Sequence, residues 1–146
     1  MNCTSQLLED FLNRYGWAYE KCAEDTWLTG WSSESGEYPL MIHLSDETIL
    51  FEVRPFMEFD LELNMFPEFL VKIMELNDQS RLVKIALSPE GDLILAVHAL
   101  TLFFSYEHFA NIVGIMGFYA DEFRREINLY QATVGIANYE MPEYLS

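Results

Sequence analysis

The apolar positions change their period along the chain, and each change marks a new element. Thr4, a good helix N-cap, and Gly16, a natural helix stop, enclose a segment whose apolar residues recur at helical spacing. Its apolar face consists of Leu7, Leu8, Phe11, Leu12 and Tyr15. This segment is predicted to form a first helix, and residues 17–22 after it fit either a short strand or irregular structure.

Three segments with strand character follow, at residues 26–31, 40–44 and 48–54. They are joined by short polar turns, and Pro55 is expected to end the third strand. Because turns this short leave no room for crossover connections, the three strands should pair antiparallel.

A second helix is predicted over residues 64–80, with Pro67 tolerated in its first turn. Two more strands are predicted at residues 81–88 and 92–99. The residues that join them, 88–91, have Pro in the second place and Gly in the fourth, which is typical of a type I turn. These two strands are therefore predicted to form a hairpin.

The last helix is predicted to run from a cap at Ser105 to about Tyr130, and residues 132–146 are expected to be a loosely held tail. Its apolar residues alternate at intervals of four and three: Phe109, Val113, Met116, Ala120, Phe123, Ile127 and Tyr130. No repeat or linker is visible, so residues 1–146 are interpreted as one domain. The predicted fold is α+β, with an antiparallel sheet of about five strands and three helices in the order α-β-β-β-α-β-β-α.

The second half of the chain carries a more specific pattern. A Leu-Asn pair precedes the hairpin, apolar residues alternate on both sides of its Gly turn, and the last helix carries an Ala-Asp-Glu-Phe stretch. The residues concerned are Leu76, Asn77, Val83, Ile85, Leu87, Gly91, Leu93, Leu95, Phe109 and residues 120–123. This pattern resembles the YbjN-like family of bacterial proteins and, more distantly, the class I type III secretion chaperones.

The resemblance implies a chaperone-like fold, a homodimer and an acidic surface, and it supplies no catalytic residues. Type III chaperones often carry Trp where the last helix of this chain has Phe123, and nothing in the sequence points to a secretion system. Because a shared fold does not transfer function, the resemblance does not imply the effector-chaperone role.

The charge balance limits the possible partners. The chain has 146 residues, with 8 Lys and Arg against 24 Asp and Glu, for a net charge of −16. Nucleic acid and anionic membrane surfaces are therefore not expected as partners, because both attract clustered basic residues. A basic protein or a cation would be attracted, although the simpler role of such acidity is to keep the protein soluble.

The sequence also indicates the compartment. The longest uncharged apolar run, residues 93–104, is too short to span a membrane, and residues 1–14 do not read as a signal peptide. The two cysteines, Cys3 and Cys22, form no metal-binding motif. A cytoplasmic protein with reduced thiols is the expectation.

No catalytic, metal or cofactor site is predicted. The histidines, His43, His98 and His108, accompany no nucleophile motif, and there is no glycine-rich phosphate loop.

One cluster of carboxylates is the exception to consider. Glu58, Asp60 and Glu62 would point the same way from an extended segment, about 7 Å apart, which makes a divalent-cation site conceivable. A solvated edge is the favoured interpretation, because no calcium-loop spacing accompanies the three carboxylates.

The sequence predicts more apolar surface than one two-layer domain needs. The hairpin at residues 82–99 is apolar on both faces, so its second face needs a cover. The residues predicted for a partner or dimer interface are Val71, Met74, Ile94, Ala96, Ile115 and Phe118. The alternative is that the chain covers both faces itself, with the second helix on one side and the first and third on the other.

Two glycines in the last helix, Gly114 and Gly117, are unusual, because glycine destabilises a helix interior. They serve either close packing or a kink within the chain, or the approach of a partner helix or ligand. The leading functional hypothesis is a non-enzymatic protein-binding or chaperone-like regulatory domain that acts as a homodimer. The alternative is a domain that binds a small apolar ligand in a pocket between the last helix and the sheet.

Overall fold

The chain folds into an antiparallel sheet with helices packed on one of its faces. The computed structural model describes the backbone of residues 2–58 and 67–145 and the side chains of residues 2–58 and 67–133. In this part of the chain the elements are α1 (Ser5–Tyr15), β1 (Glu20–Ala23), β2 (Thr26–Ser33), β3 (Gly36–Leu44), β4 (Thr48–Glu58), α2 (Pro67–Gln79), β5 (Lys84–Leu87), β6 (Asp92–Leu100) and α3 (Tyr106–Leu145).

The described strands form one sheet in the order β1-β2-β3-β4-β6-β5, and every neighbouring pair is antiparallel. The α+β class and the antiparallel sheet are confirmed, with six strands where about five were predicted. The additional strand is β1, which lies in the segment whose structure the sequence left open. All four residues of this edge strand are exposed, so it lacks the apolar alternation that marks a half-buried strand.

Both ends of α1 and the turn between β5 and β6 are formed by the residues that the sequence predicted. The Thr4 side chain accepts a hydrogen bond from the backbone N–H of Leu7 at 3.2 Å, which caps α1. At the other end, Gly16 has φ +87°, the left-handed conformation that glycine adopts without strain. In the β5–β6 turn, the backbone N–H of Gly91 donates to the carbonyl of Ser88 at 3.0 Å.

The expectation that Pro55 ends a strand was wrong. β4 continues past it to Glu58, and its pairing with β6 shifts register between Val53 and Met57. A proline is tolerated at such an irregularity, because the ladder hydrogen bond that its missing N–H would have donated is already interrupted there.

The last helix also extends beyond its predicted end near Tyr130, to Leu145. The predicted end marked the point where the apolar stripe stops. The apolar stripe marks the part of the helix that is buried against the sheet. A helix can continue beyond that part, because its backbone hydrogen bonds do not require buried side chains. The loosely held tail was predicted for residues 132–146, and the structure describes no side chains beyond residue 133, so the tail stays a prediction.

All three helices pack against the same face of the sheet. A single core cluster joins inward-facing strand residues with residues from each helix. Its helical members include Leu8 and Leu12 from α1, Phe69 and Leu76 from α2, and Phe109, Met116, Phe123 and Ile127 from α3. The alternative arrangement, with α2 on the opposite face, is therefore wrong, and the second face of the sheet carries no described helix.

A polar cluster attaches the β2–β3 turn to α3. The Ser33 hydroxyl donates to the carboxylate of Asp121 at 2.7 Å, and the Tyr38 hydroxyl donates to it at 3.1 Å. Ser35 donates to the same oxygen. Desolvation would raise the pKa of Asp121, but these hydrogen bonds and the nearby charge of Arg124 outweigh it and lower the pKa.

Arg124, one turn further along α3, completes the attachment. Its guanidinium donates to the carbonyl of Ser35 at 2.7 Å and to that of Phe56 at 2.8 Å. It also lies over the ring of Tyr38, 5.0 Å from the ring centroid. The β2–β3 turn is thus held to α3 by hydrogen bonds to Asp121 and Arg124.

We expect Asp121→Asn to lower the free energy of unfolding at neutral pH by about 1 kcal/mol, because it removes the charge from these hydrogen bonds. A carboxylate with a lowered pKa stabilises the folded state above its unfolded pKa of about 3.9 and loses that effect as the pH falls through its folded pKa. The wild type should therefore lose more stability than the variant between about pH 5 and about pH 2 in urea unfolding. Glu20→Gln, which removes an exposed carboxylate from β1, is the control. Parallel pH profiles for wild type and Asp121→Asn would contradict the assignment.

Candidate protein-binding surfaces

The outer side of α2 is an exposed apolar ridge formed by Leu70, Val71 and Met74, here called the α2 ridge. The other side of the helix enters the core through Phe69 and Leu76. Met74 is 71% exposed. A helix with apolar residues on both sides is expected where a second surface covers the outer one.

A second apolar surface is an open groove of about 470 Å³, which lies where β6 ends and α3 begins. We call it the β6–α3 groove. Its apolar lining includes Leu82, Leu100, Leu102, Phe104, Ile112 and Ile115. His108 and Asn111, in the first turns of α3, are its polar members.

The backbone beside this groove holds two apolar side chains in an unusual conformation. Leu82 and Phe103 have φ angles of +66° and +57°, although neither is glycine. On either side of Leu82, the backbone N–H of Arg81 donates to the hydroxyl of Tyr119 at 3.1 Å, and Val83 is fully buried. These neighbours constrain Leu82 to face outward.

The second face of the sheet, which carries no described helix and is here called the open face, has both apolar and charged side chains. Leu28 and Met41 face each other there, and Met41 pairs with Glu52 on the next strand. Glu52 is buried and accepts from the Arg54 guanidinium at 2.7 Å. This ion pair divides the apolar area of the open face. A partner that covered it with apolar groups would have to leave the two charged groups paired with each other.

The six residues predicted for an interface do not form one patch. Val71 and Met74 lie on the α2 ridge, and Ile115 lines the β6–α3 groove. Phe118 is exposed elsewhere on α3, in a separate depression that it shares with Glu34, Asp121, Glu122 and Arg125. Ile94 and Ala96 are on the open face of the sheet, where Ile94 is buried.

The histidines are dispersed. His43 Nδ1 is 2.9 Å from the Thr26 hydroxyl, on the open face of the sheet. His98 is exposed on β6. His108 Nδ1 accepts from the backbone N–H of Ser105, while the Ser105 hydroxyl accepts from the backbone N–H of His108, so this pair caps α3.

The other candidate chemical groups are also separated. Burial raises the pKa of the Cys3 thiol to about 11, which disfavours a reactive thiolate, and Cys22 is exposed on β1. Glu58 is exposed at the end of β4, whereas Asp60 and Glu62 lie outside the described residues. Among the described residues, no three His, Cys, Asp or Glu side chains are close enough to hold a metal ion.

The comparisons with known proteins agree with the fold. The YbjN family, described as "Putative bacterial sensory transduction regulator", matches residues 4–129. The chain belongs to the YbjN family. No curated protein sequence matches it significantly.

Three solved structures share this fold at low sequence identity. YbjN from E. coli, described as "a putative transcription regulator", is 19% identical, with a TM-score of 0.56 over 95% of this chain and 94% of its own. A chain of the heterodimeric ExoU–SpcU complex from the type III secretion system of Pseudomonas aeruginosa is 16% identical, with a TM-score of 0.58 over 84% and 96%. A chain of the ExsC–ExsE complex is 14% identical, with a TM-score of 0.60 over 86% and 96%. In the described part of this YbjN-family protein, no helix is long and apolar enough to cross a membrane.

Close packing within the described chain is a poor explanation for Gly114 and Gly117 of α3. A Cβ added at Gly114 would meet no atom within 4 Å, and one at Gly117 would be 3.8 Å from Trp31 Nε1, an ordinary contact. Neither glycine is therefore required by close packing within the described chain.

We expect Gly114→Ala to raise the free energy of unfolding by up to about 1 kcal/mol, because alanine is the better helix former and there is room for its methyl group. Urea unfolding measures the change. Gly16→Ala is the control and should destabilise the protein, because Gly16 has a positive φ. A loss of stability in Gly114→Ala would mean that another surface packs on this part of α3.

Proposed function

We propose that this chain is a non-enzymatic, protein-binding regulatory domain of the chaperone-like type. The observation that carries the proposal is the α2 ridge, an apolar outer surface on a helix whose other side is already buried in the core. Membership of the YbjN family supports a regulatory role. Two of the fold relatives come from complexes with other proteins, which supports protein binding as the activity.

We further propose that the protein is a homodimer through the α2 ridge. Two copies related by a two-fold axis would place Val71 and Met74 against the same residues of the partner. Glu75 and Asp78 border this surface, and the chain has a net charge of −16, so electrostatic repulsion opposes the contact. The dimer should therefore be apolar at its centre and should tighten as salt screens the repulsion.

The dimer proposal predicts that Met74→Asp dissociates the protein, because it places a carboxylate at the centre of the contact. Sedimentation equilibrium at micromolar concentration should give twice the 17.1 kDa chain mass for wild type, and increasingly so at higher salt. Phe118→Asp is the matched control, since Phe118 is also exposed but lies in a different depression. A wild-type mass of 17.1 kDa at every salt concentration would exclude the dimer.

A small apolar ligand in the β6–α3 groove is the second candidate function. The groove lies between the last helix and the sheet, and His108 and Asn111 supply polar groups at its wall. However, Leu82, Leu100 and Leu102 are each more than half exposed, so the groove would leave much of a small ligand in water. Protein binding therefore fits this surface better.

We propose that the protein is cytoplasmic. Cys3 and Cys22 are both free, and the buried thiol of Cys3 packs in the core as an apolar group. Reduced cysteines of this kind are typical of a reducing compartment.

A further inference from the structure

The backbone of β5 is hydrogen-bonded on both sides, although β5 lies at one edge of the sheet. Its inner side pairs with β6, and the outer side of an edge strand is ordinarily left to solvent. Here the side-chain amide of Asn77, on α2, occupies that outer side. Asn77 Oδ1 accepts from the backbone N–H of Ile85 at 2.7 Å, and Asn77 Nδ2 donates to the carbonyl of Ile85 at 3.1 Å. One side-chain amide thus takes the place of a peptide group on a neighbouring strand.

Val83, which points its backbone the same way as Ile85, is closed by the same end of α2. The Ser80 hydroxyl donates to the carbonyl of Val83 at 2.6 Å. The backbone N–H of Val83 donates to the carbonyl of Arg81 at 2.7 Å, across Leu82, whose φ is +66°. A three-residue turn with a positive φ is rare and strained, and such strain persists where the surrounding contacts require it. The outward N–H and carbonyl of both Val83 and Ile85 are therefore paired within the chain.

Lys84 fixes the end of α2 against β5. Its ammonium group donates to the carbonyl of Asn77 at 2.6 Å and to the carbonyl of Ser80 at 3.1 Å. A cation at this end of a helix pairs with carbonyls that have no partner within the helix and with the negative end of the helix dipole. Leu76, next to Asn77, is buried in the core. The amide of Asn77 is therefore held in place over Ile85.

The hydrogen-bond directions along β5 identify the rest of its edge. Because Ile85 directs its backbone groups away from β6, those of Leu87, two residues further on, point the same way. An edge strand with free backbone groups can pair with the same strand of a second copy, and two antiparallel copies of β5 would be related by a two-fold axis. β5 is only four residues long, so such a pair needs the backbone groups of Ile85. Asn77 occupies them.

We propose that Asn77 and Ser80, here called the edge cap, close β5 and prevent the sheets of two copies of this chain from joining edge to edge. A peptide group of a second chain would have to displace the Asn77 amide before it could reach Ile85. The Leu-Asn pair ahead of the hairpin thus has two roles, because Leu76 anchors the helix in the core and Asn77 closes the strand beside it. The proposal is independent of the α2 ridge, since it concerns the backbone of a strand.

The test removes the Asn77 amide and measures self-association. Asn77→Ala should raise the association constant of the chain about tenfold or more, because each copy then offers the N–H and carbonyl of Ile85 to the other. Sedimentation equilibrium in about 0.5 M salt measures the change, since salt screens the repulsion between chains of net charge −16. Variant and parent both carry Met74→Asp, so that any contact through the α2 ridge is removed from the comparison. Asn13→Ala, at an exposed position of α1, is the matched control and should leave the mass unchanged.

A second substitution separates edge pairing from a loss of folding. Leu87→Pro removes an outward N–H from β5, and proline is accepted on an edge strand where its missing N–H faces away from the neighbouring strand. The side chain of Leu87 is more than half exposed, so the core is little affected. Added to Asn77→Ala, this substitution should return the protein to the mass of the parent. Association that came from unfolding would persist.

Amide hydrogen exchange tests the contact itself, at a concentration low enough to keep every variant monomeric. The amide of Ile85 should exchange at least about tenfold faster in Asn77→Ala than in the parent, because its hydrogen-bond acceptor is gone. The amide of Ala86, which is directed at β6, should keep its rate.

Three results would overturn the proposal. An unchanged mass in Asn77→Ala would mean that the β5 edge does not associate when it is opened. An increase in mass that Leu87→Pro does not reverse would assign the association to unfolding or to another surface. Equal exchange of the Ile85 amide in variant and parent would mean that Asn77 does not close the edge. None of these results bears on the α2 ridge, because Met74→Asp is present throughout.

Discussion

Burial of one face of the sheet under all three helices is the contact on which the rest of this structure depends. Phe109 of α3 meets both Phe11 of α1 and Phe51 of β4, at ring separations of about 6 Å. Phe69 of α2 packs on Tyr130, about six turns further along α3 than Phe109, with ring centroids 5.4 Å apart. Because the helices share one face, no helix side chain that the structure describes covers the opposite face of the sheet.

The surfaces that remain exposed are mostly acidic. Many of the basic side chains are engaged within the chain: Arg54 with Glu52, Lys72 with Glu126, Lys84 with the end of α2, and Arg124 with the β2–β3 turn. Most of the acidic side chains that the structure describes are exposed, so the described surface is more negative than an even mixture of charges would make it. We therefore expect basic partners to be attracted to this protein at long range.

The candidate surfaces could be predicted only in part. The sequence indicated excess apolar residues, and Val71, Met74 and Ile115 do lie on exposed or groove-lining positions. It did not reveal Leu82 and Leu102 as groove residues. Leu82 is exposed by a positive φ, and Leu102 follows the end of a strand, so neither belongs to a periodic pattern that places a side chain on a face.

The sequence by itself determined the element order apart from β1, the caps of α1, the β5–β6 hairpin and the apolar stripe of α3, because each of these depends on residues close together in the chain. Only the tertiary structure decided that α2 lies on the same side as α1 and α3, and that Ile94 and Phe118 are on separate surfaces. The periodicity of a strand shows that its two faces differ, but it does not show which helix covers which face. That choice depends on contacts between residues far apart in sequence, such as Lys72 and Glu126, and local patterns do not contain it.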